Sequence, residues 1–157
     1  MAVQVQLLGR TDGGTNYTTM EFIVTDTVTV TKGDFVYFAS GEIPSATIAG
    51  ALLIGYCNET ATGNTASTVK AEVIVDPEMR YLIDNDNDGT TFGVTHVGTY
   101  FDLTGATGAQ LVDTSTTSSS TGQLLCLEYN PQISPVETDT SVGVFKIREH
   151  AFYPVAT

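Results

Sequence analysis

The chain has 157 residues, a length typical of one domain that buries roughly two thirds of its unfolded surface. Its 18 acidic residues outnumber its 6 basic ones and give a net charge of -12, which repels a phosphate backbone, so we expect no nucleic-acid partner. No apolar run is long enough to cross a bilayer, and the first residues lack a secretory signal, so we expect no membrane partner and synthesis in a cytoplasm.

The first half of the chain predicts short strands separated by turn residues. Residues 4–8 alternate apolar and polar side chains, and residues 10–16 form a turn or flexible segment. Residues 22–30 end in a period of two, and residues 35–38 form a continuous apolar and aromatic run, so both predict strands. In residues 46–56, two glycines lower helical propensity, and we predict a turn followed by a buried strand.

The second half continues in the same way. Residues 113–122 are a Ser/Thr-rich run without an apolar anchor, which predicts a mobile loop. Phe145 and Ile147 alternate with charged residues, and this pattern predicts a half-solvated strand that ends near a solvated His150. The other predicted strands are residues 70–75, 81–83, 99–103 and 124–129.

These elements predict an all-β fold, a single-domain β-barrel or β-sandwich of short, mostly antiparallel strands with long polar loops. We divide the chain into an N-terminal strand or arm, residues 1–17, and a β-domain, residues 18–157. The pair Gly13 and Gly14 provides a hinge in the arm. We therefore expect the arm to reach a neighbouring subunit by strand addition.

The sharpest local motif contains three carboxylates at alternate positions, Asp84, Asp86 and Asp88, followed by Gly89. This spacing matches the first half of a calcium loop, in which hard oxygen ligands surround a hard cation. Position twelve of such a loop is a glutamate, but here it is Thr95, and the flanks predict strands, so an EF-hand is excluded. An Asx-rich hairpin turn is the favoured interpretation, and weak calcium binding by the three aspartates is the alternative.

No set of residues predicts a catalytic centre. Cys57 and Cys126 lie in apolar runs, and we expect buried free thiols. A thiol–imidazole pair with His96 or His150 has no support beyond residue type. His96 is predicted to be a packed or turn histidine. We therefore expect that the protein is not an enzyme and has no cofactor apart from the possible weak calcium.

Several segments together carry a family resemblance: residues 31–36, 46–56 and 71–73, then GTYFDLTG (98–105), residues 109–113 and GQLLCLEYNP (122–131). In this order they resemble small head decoration, or cement, proteins of tailed bacteriophages, over residues 28–154. The resemblance implies binding to the outside of an assembled icosahedral capsid, commonly as a homotrimer that holds neighbouring major capsid protein subunits together. It also implies location on the virion surface after assembly in the host cytoplasm. Such proteins have no catalytic residues, and none is carried over.

A carbohydrate- or calcium-binding β-module, similar to an adhesin or a lectin, is the competing class. Aromatic platforms for sugars usually include Trp, and this chain has none, although its seven Tyr can substitute. A small β-enzyme is a third class, and the sequence contains no motif for one. The sequence therefore favours a structural, shell-binding function, with a carbohydrate- or calcium-binding function as the alternative.

Overall fold

A computed structural model describes residues 5–44, 51–86, 88, 90–118, 121–129, 132–134, 137–138, 142–148 and 150–152. Strand residues make up 53% of the structure and helical residues 2%, which confirms the predicted all-β class. A single 3-10 turn at Val94–His96 is the helical element in this part of the chain. In chain order the strands are β1 (Gln6–Arg10), β2 (Thr19–Ile23), β3 (Thr29–Val30), β4 (Phe35–Tyr37), β5 (Leu53–Cys57), β6 (Ala61–Thr62), β7 (Lys70–Ile74), β8 (Met79–Asp84), β9 (Tyr100–Thr104), β10 (Leu111–Ser118), β11 (Leu124–Tyr129), β12 (Gln132–Ser134), β13 (Glu137–Thr138) and β14 (Val142–Ile147).

The described strands form two larger sheets and two short ladders. The six-stranded sheet has the order β1-β8-β14-β11-β9-β10, and the four-stranded sheet has the order β2-β7-β5-β4. The ladders pair β3 with β6 and β12 with β13, and every named pair is antiparallel. Among the isolated parallel bridges, that between Asn85 and Val112 brings β10 back to the end of β8. The sheets are not closed into a barrel, and their open arrangement is compatible with the sandwich alternative.

The main hydrophobic core lies between the two larger sheets. Ring contacts cross it, and the ring centroid of Phe35 in β4 lies 4.8 Å edge-on from that of Tyr81 in β8. Edge-to-face contacts of this kind are the geometry that aromatic pairs prefer. The aromatic residues of this core are Phe35, Tyr56, Tyr81, Phe92, Phe101 and Phe145.

A second core covers the opposite face of the four-stranded sheet. This sheet is therefore apolar on both faces, which explains why β5 is buried along its whole length. Gly55 in β5 has a φ of 156°, and a Cβ there would lie 2.0 Å from the carbonyl oxygen of Ile74, so only glycine fits. The second core consists of Val24, Val30, Val36, Ile43, Ile54, Cys57, Ala71, Val73 and Val75.

Two buried glutamines hydrogen-bond to the backbone at the ends of the core. The Gln110 amide accepts from the Phe35 N–H at 2.6 Å and donates to the Phe35 carbonyl at 3.1 Å, as a neighbouring strand would. The Gln123 amide accepts from the Leu103 N–H at 2.9 Å and donates to the Ala51 carbonyl at 2.8 Å. These side chains satisfy buried backbone groups and link segments of the two sheets.

The structure corrects two predictions of strand and loop bounds. The segment 113–122, predicted as a loop, begins with β10, which pairs with β9 as far as Ser118. The predicted strand 22–30 is interrupted, because β2 ends at Ile23 and β3 begins at Thr29. Within the predicted N-terminal strand or arm 1–17, β1 pairs with β8 of its own chain, and the expected reach of this segment to a neighbouring subunit stays a prediction. Residues 1–4 and 45–50 lie outside the described residues.

Candidate functional site

The acidic connection, defined as residues 84–90, begins at the last residue of β8, and its residues Asp86 and Asp88 contact Thr114 of β10. The Asp86 carboxylate accepts a hydrogen bond from the Thr114 hydroxyl at 2.8 Å. An oxygen of Asp88 lies 2.9 Å from the same hydroxyl and accepts from the Thr90 N–H at 2.8 Å. The hydrogen bond from the Thr90 N–H to Asp88 is an Asx-type contact within the turn. The hydrogen bonds of Thr114 connect the turn to β10.

The chemistry of this connection is dominated by hydrogen bonds to its carboxylates. The Thr114 hydroxyl has one proton, so it donates to only one of Asp86 and Asp88 at a time. The backbone N–H of Thr90 and then the Thr114 hydroxyl lower the pKa of Asp88, because both stabilise the charged form. Asp84, at the end of β8, is buried instead.

A metal site is not assembled by the described side chains. Among them, no group of three or more His, Cys, Asp or Glu side chains is placed to hold an ion. Asn87 and Gly89, which belong to the same connection, lie outside the described residues. Calcium binding by Asp84, Asp86 and Asp88 therefore stays a prediction beside the plain turn.

The two cysteines are free and buried, as predicted. The Cys57 thiol donates to the Glu59 carbonyl at 3.0 Å, and the Cys126 thiol lies 3.7 Å from the Glu128 carbonyl. Burial raises the pKa of each thiol to about 11. At neutral pH such thiols are protonated and therefore poor nucleophiles.

The two histidines also contact other groups. His96 lies in the 3-10 turn, where its Nδ1 accepts from the Gly93 N–H at 2.8 Å. The prediction of a solvated His150 is wrong, because the chain turns after β14 and buries this ring with 1% exposure. Its Nδ1 accepts from the Phe152 N–H at 3.2 Å, and burial lowers its pKa. The hydrogen bonds seen for these rings and thiols do not make a thiol–base pair.

The aromatic cluster, defined as Phe22, Phe38 and Phe152, brings three rings together at the surface of the part of the chain that the structure describes. The ring centroid of Phe22 lies 5.2 Å from that of Phe38 and 6.0 Å from that of Phe152, and the last two are 5.8 Å apart. Phe38 and Phe152 remain 37% and 41% exposed. Met20 on the same strand as Phe22 is 45% exposed.

The cluster is anchored on one side and open on the other. Phe22 packs against the second core, and its strand β2 is an edge of the four-stranded sheet. Clustered apolar side chains at a protein surface mark interaction sites more often than scattered ones. Sequence reasoning missed this cluster, because its members are far apart in the chain and each lies in an ordinary apolar context.

In the part of the chain that the structure describes, no helix is long and apolar enough to cross a membrane. No protein-family model, no curated protein and no solved structure matches this chain.

Proposed function

We propose that this protein is a virion structural protein that binds the outer surface of an assembled icosahedral capsid and stabilises contacts between major capsid subunits. The observation that carries the proposal is the aromatic cluster, which is held half-open on a two-sheet β-scaffold. The sequence resemblance to phage decoration proteins supplies the class of partner, a major capsid protein. The described thiols and imidazoles hydrogen-bond elsewhere, which supports a binding rather than a catalytic role.

A scaffold of this kind suits shell binding on physical grounds. Because the exposed rings are carried by packed strands and turns, docking orders few additional side chains and loses little conformational entropy. A protein that binds the assembled shell but not its free subunits stabilises the shell by mass action. At a free concentration one hundred times Kd, the gain is about 2.7 kcal/mol for each site.

The charge supports the same proposal. A net charge of -12 keeps the free protein soluble before docking and repels packaged nucleic acid, so we place the protein on the outside of the virion. We propose that it docks as a homotrimer, because closed symmetric assemblies match the symmetric positions of a shell.

A carbohydrate- or calcium-binding β-module is the second candidate. The observation that favours it is the convergence of the Asp86 and Asp88 carboxylates on the Thr114 hydroxyl, within 2.9 Å. Carboxylate oxygens are the ligands that calcium prefers. This candidate requires the protein to bind a glycan or an ion and to ignore matched capsids.

The aromatic cluster provides the test. The double variant Phe38→Ser/Phe152→Ser removes its two most exposed rings, and we expect about a tenfold or greater loss of affinity for matched, preassembled capsids in co-sedimentation. The control is Val94→Ser, which makes an apolar-to-polar change at a residue that is 70% exposed on the 3-10 turn. We expect the control to bind as the wild type does. Wild-type protein that ignores matched capsids but binds a glycan array would establish the second candidate instead.

A further inference from the structure

A groove of about 450 Å³ lies on the outer face of the six-stranded sheet, where β9, β11 and β14 lie side by side. We define the basic groove as Tyr100, Leu125, Lys146 and Arg148. Leu125 is directly opposite Lys146 on one neighbouring strand and Tyr100 on the other. The Arg148 guanidinium lies 4.2 Å above the centre of the Tyr100 ring, a cation–π contact that fixes its position.

The basic groove stands out because the chain is otherwise acidic. The six basic residues include Arg10 and Arg80, which lie on β1 and β8 of the same sheet as Lys146. Glu78 also lines the groove and lies 3.6 Å from Lys146, so the two charges partly neutralise each other and the groove keeps two basic side chains against one acidic side chain. The remaining bases, Lys32 and Lys70, are exposed and lie outside this sheet. Two copies of this chain therefore repel each other over most surfaces, and the basic groove is where an acidic surface is least repelled.

A complementary surface exists at the edge of the other large sheet. We define the acidic edge as Glu21, Glu59 and Glu72. Glu21 on β2 is directly opposite Glu72 on β7, and like charges in that position destabilise a sheet. The Glu72 carboxylate accepts one hydrogen bond from the Asn58 amide at 2.6 Å, which offsets part of this repulsion. Glu59 joins them, because its carboxylate accepts a hydrogen bond from the Glu72 N–H at 2.8 Å. Glu21 and Glu59 are exposed, so a cation from outside can approach them.

We propose that the basic groove of one copy docks the acidic edge of a second copy, and that this contact closes the homotrimer. Lys146 and Arg148 then relieve the repulsion between Glu21 and Glu72, while Tyr100 and Leu125 form an apolar floor beneath the contact. The two surfaces differ, so the contact is heterologous, and a heterologous contact is the kind that closes a three-membered ring. This proposal rests on the proposed function and names the surfaces through which the subunits of the homotrimer contact one another. The aromatic cluster is not part of this contact and remains free to bind the capsid.

The oligomeric state of the free protein tests the contact without any capsid. In sedimentation equilibrium we expect Lys146→Glu/Arg148→Glu to associate about tenfold more weakly than the wild type, because both cations become anions facing an acidic edge. Lys146→Gln/Arg148→Gln lowers the net charge by two within the groove. The matched control, Val94→Glu/Thr95→Glu, lowers it by two at exposed residues of the 3-10 turn, which belong to neither the groove nor the acidic edge. We expect this control to associate as the wild type does. Circular dichroism melts verify that each variant is folded.

A charge swap makes the test sharper. Adding Glu21→Lys to the groove variant places a cation on the edge opposite the new anions, and we expect it to restore part of the lost association. A monomeric wild type, a groove variant that associates normally, or a control that fails equally would each overturn the proposal. Capsid binding is measured separately, so a groove variant that still forms the trimer, while the wild type binds matched capsids, rejects this contact alone. A wild-type trimer that ignores matched capsids rejects the proposed function alone.

Discussion

Asp34 offers the clearest test of how the fold is held together. Its carboxylate is 1% exposed and lies in the turn before β4. It accepts hydrogen bonds from the Thr31 N–H at 2.8 Å, from the Gly108 N–H at 2.7 Å and from the Thr107 hydroxyl. One side chain thus joins the entry to the four-stranded sheet to the β9–β10 turn of the other sheet.

Replacing Asp34 with Ala leaves three donors without this acceptor. A hydrogen bond to a charged group contributes roughly 1.5–3 kcal/mol, and a donor left unsatisfied in a buried site costs a similar amount. The three contributions are not additive, because water enters at the turn, and we expect a net loss of about 3 kcal/mol in the free energy of unfolding. For a chain of this length the melting temperature then falls by about 6–12 °C.

Urea unfolding at neutral pH measures this loss. Asp34→Asn keeps the size and one acceptor oxygen, so we expect an intermediate loss. The control Glu128→Ala removes an exposed acid from β11, and we expect a change within about 0.5 kcal/mol. If Asp34→Ala is no more destabilising than the control, Asp34 does not link the two sheets as we describe.

Three further predictions concern the titratable groups. We expect Cys57 and Cys126 to resist a thiol reagent in the native protein and to react fully in urea, since burial raises both pKa values; rapid native labelling would contradict their burial. The pKa of His150 is lowered by burial, so the unfolded state binds the proton more tightly, and stability should fall as the pH drops through about 6.5. His150→Gln should flatten that decline in urea titrations, and an unchanged slope would refute the assignment. We expect calcium and chelator to leave the melting temperature unchanged, whereas a calcium-dependent rise that Asp86→Ala abolishes would establish a metal site.

The sequence predicts the fold class well, because strand periodicity and turn residues are local signals. Residues 124–127 and 145–147 alternate between buried and partly exposed side chains as expected, and the alternation in β11 ends where the register shifts before Glu128. β10 was missed because its Ser/Thr run carries little apolar alternation, although Thr is β-branched and suits a strand. β10 is stabilised by backbone hydrogen bonds to β9, and the pattern of its side chains does not indicate this pairing.

The candidate surfaces were harder to predict, because they depend on contacts between distant segments. His150 is flanked by charged residues and reads as solvated, yet a bridge to Leu53 holds it against the four-stranded sheet. The spacing of the three aspartates is enough to identify the acidic connection from the sequence. Their partner Thr114 could not be identified in this way, because it reaches the aspartates only when β10 folds back to the end of β8. The aromatic cluster likewise exists only after folding.

The stability of matched capsids at increasing concentrations of the protein tests the proposed function most directly. A protein that binds only the assembled shell should raise the temperature at which capsids dissociate, and the stabilising free energy should grow with the logarithm of free protein above Kd. We predict saturable binding at a fixed number of sites and a dissociation temperature that climbs over this range. A dissociation temperature that does not change at concentrations that saturate the capsid, or the absence of any binding to matched capsids, would contradict the proposed shell-stabilising function.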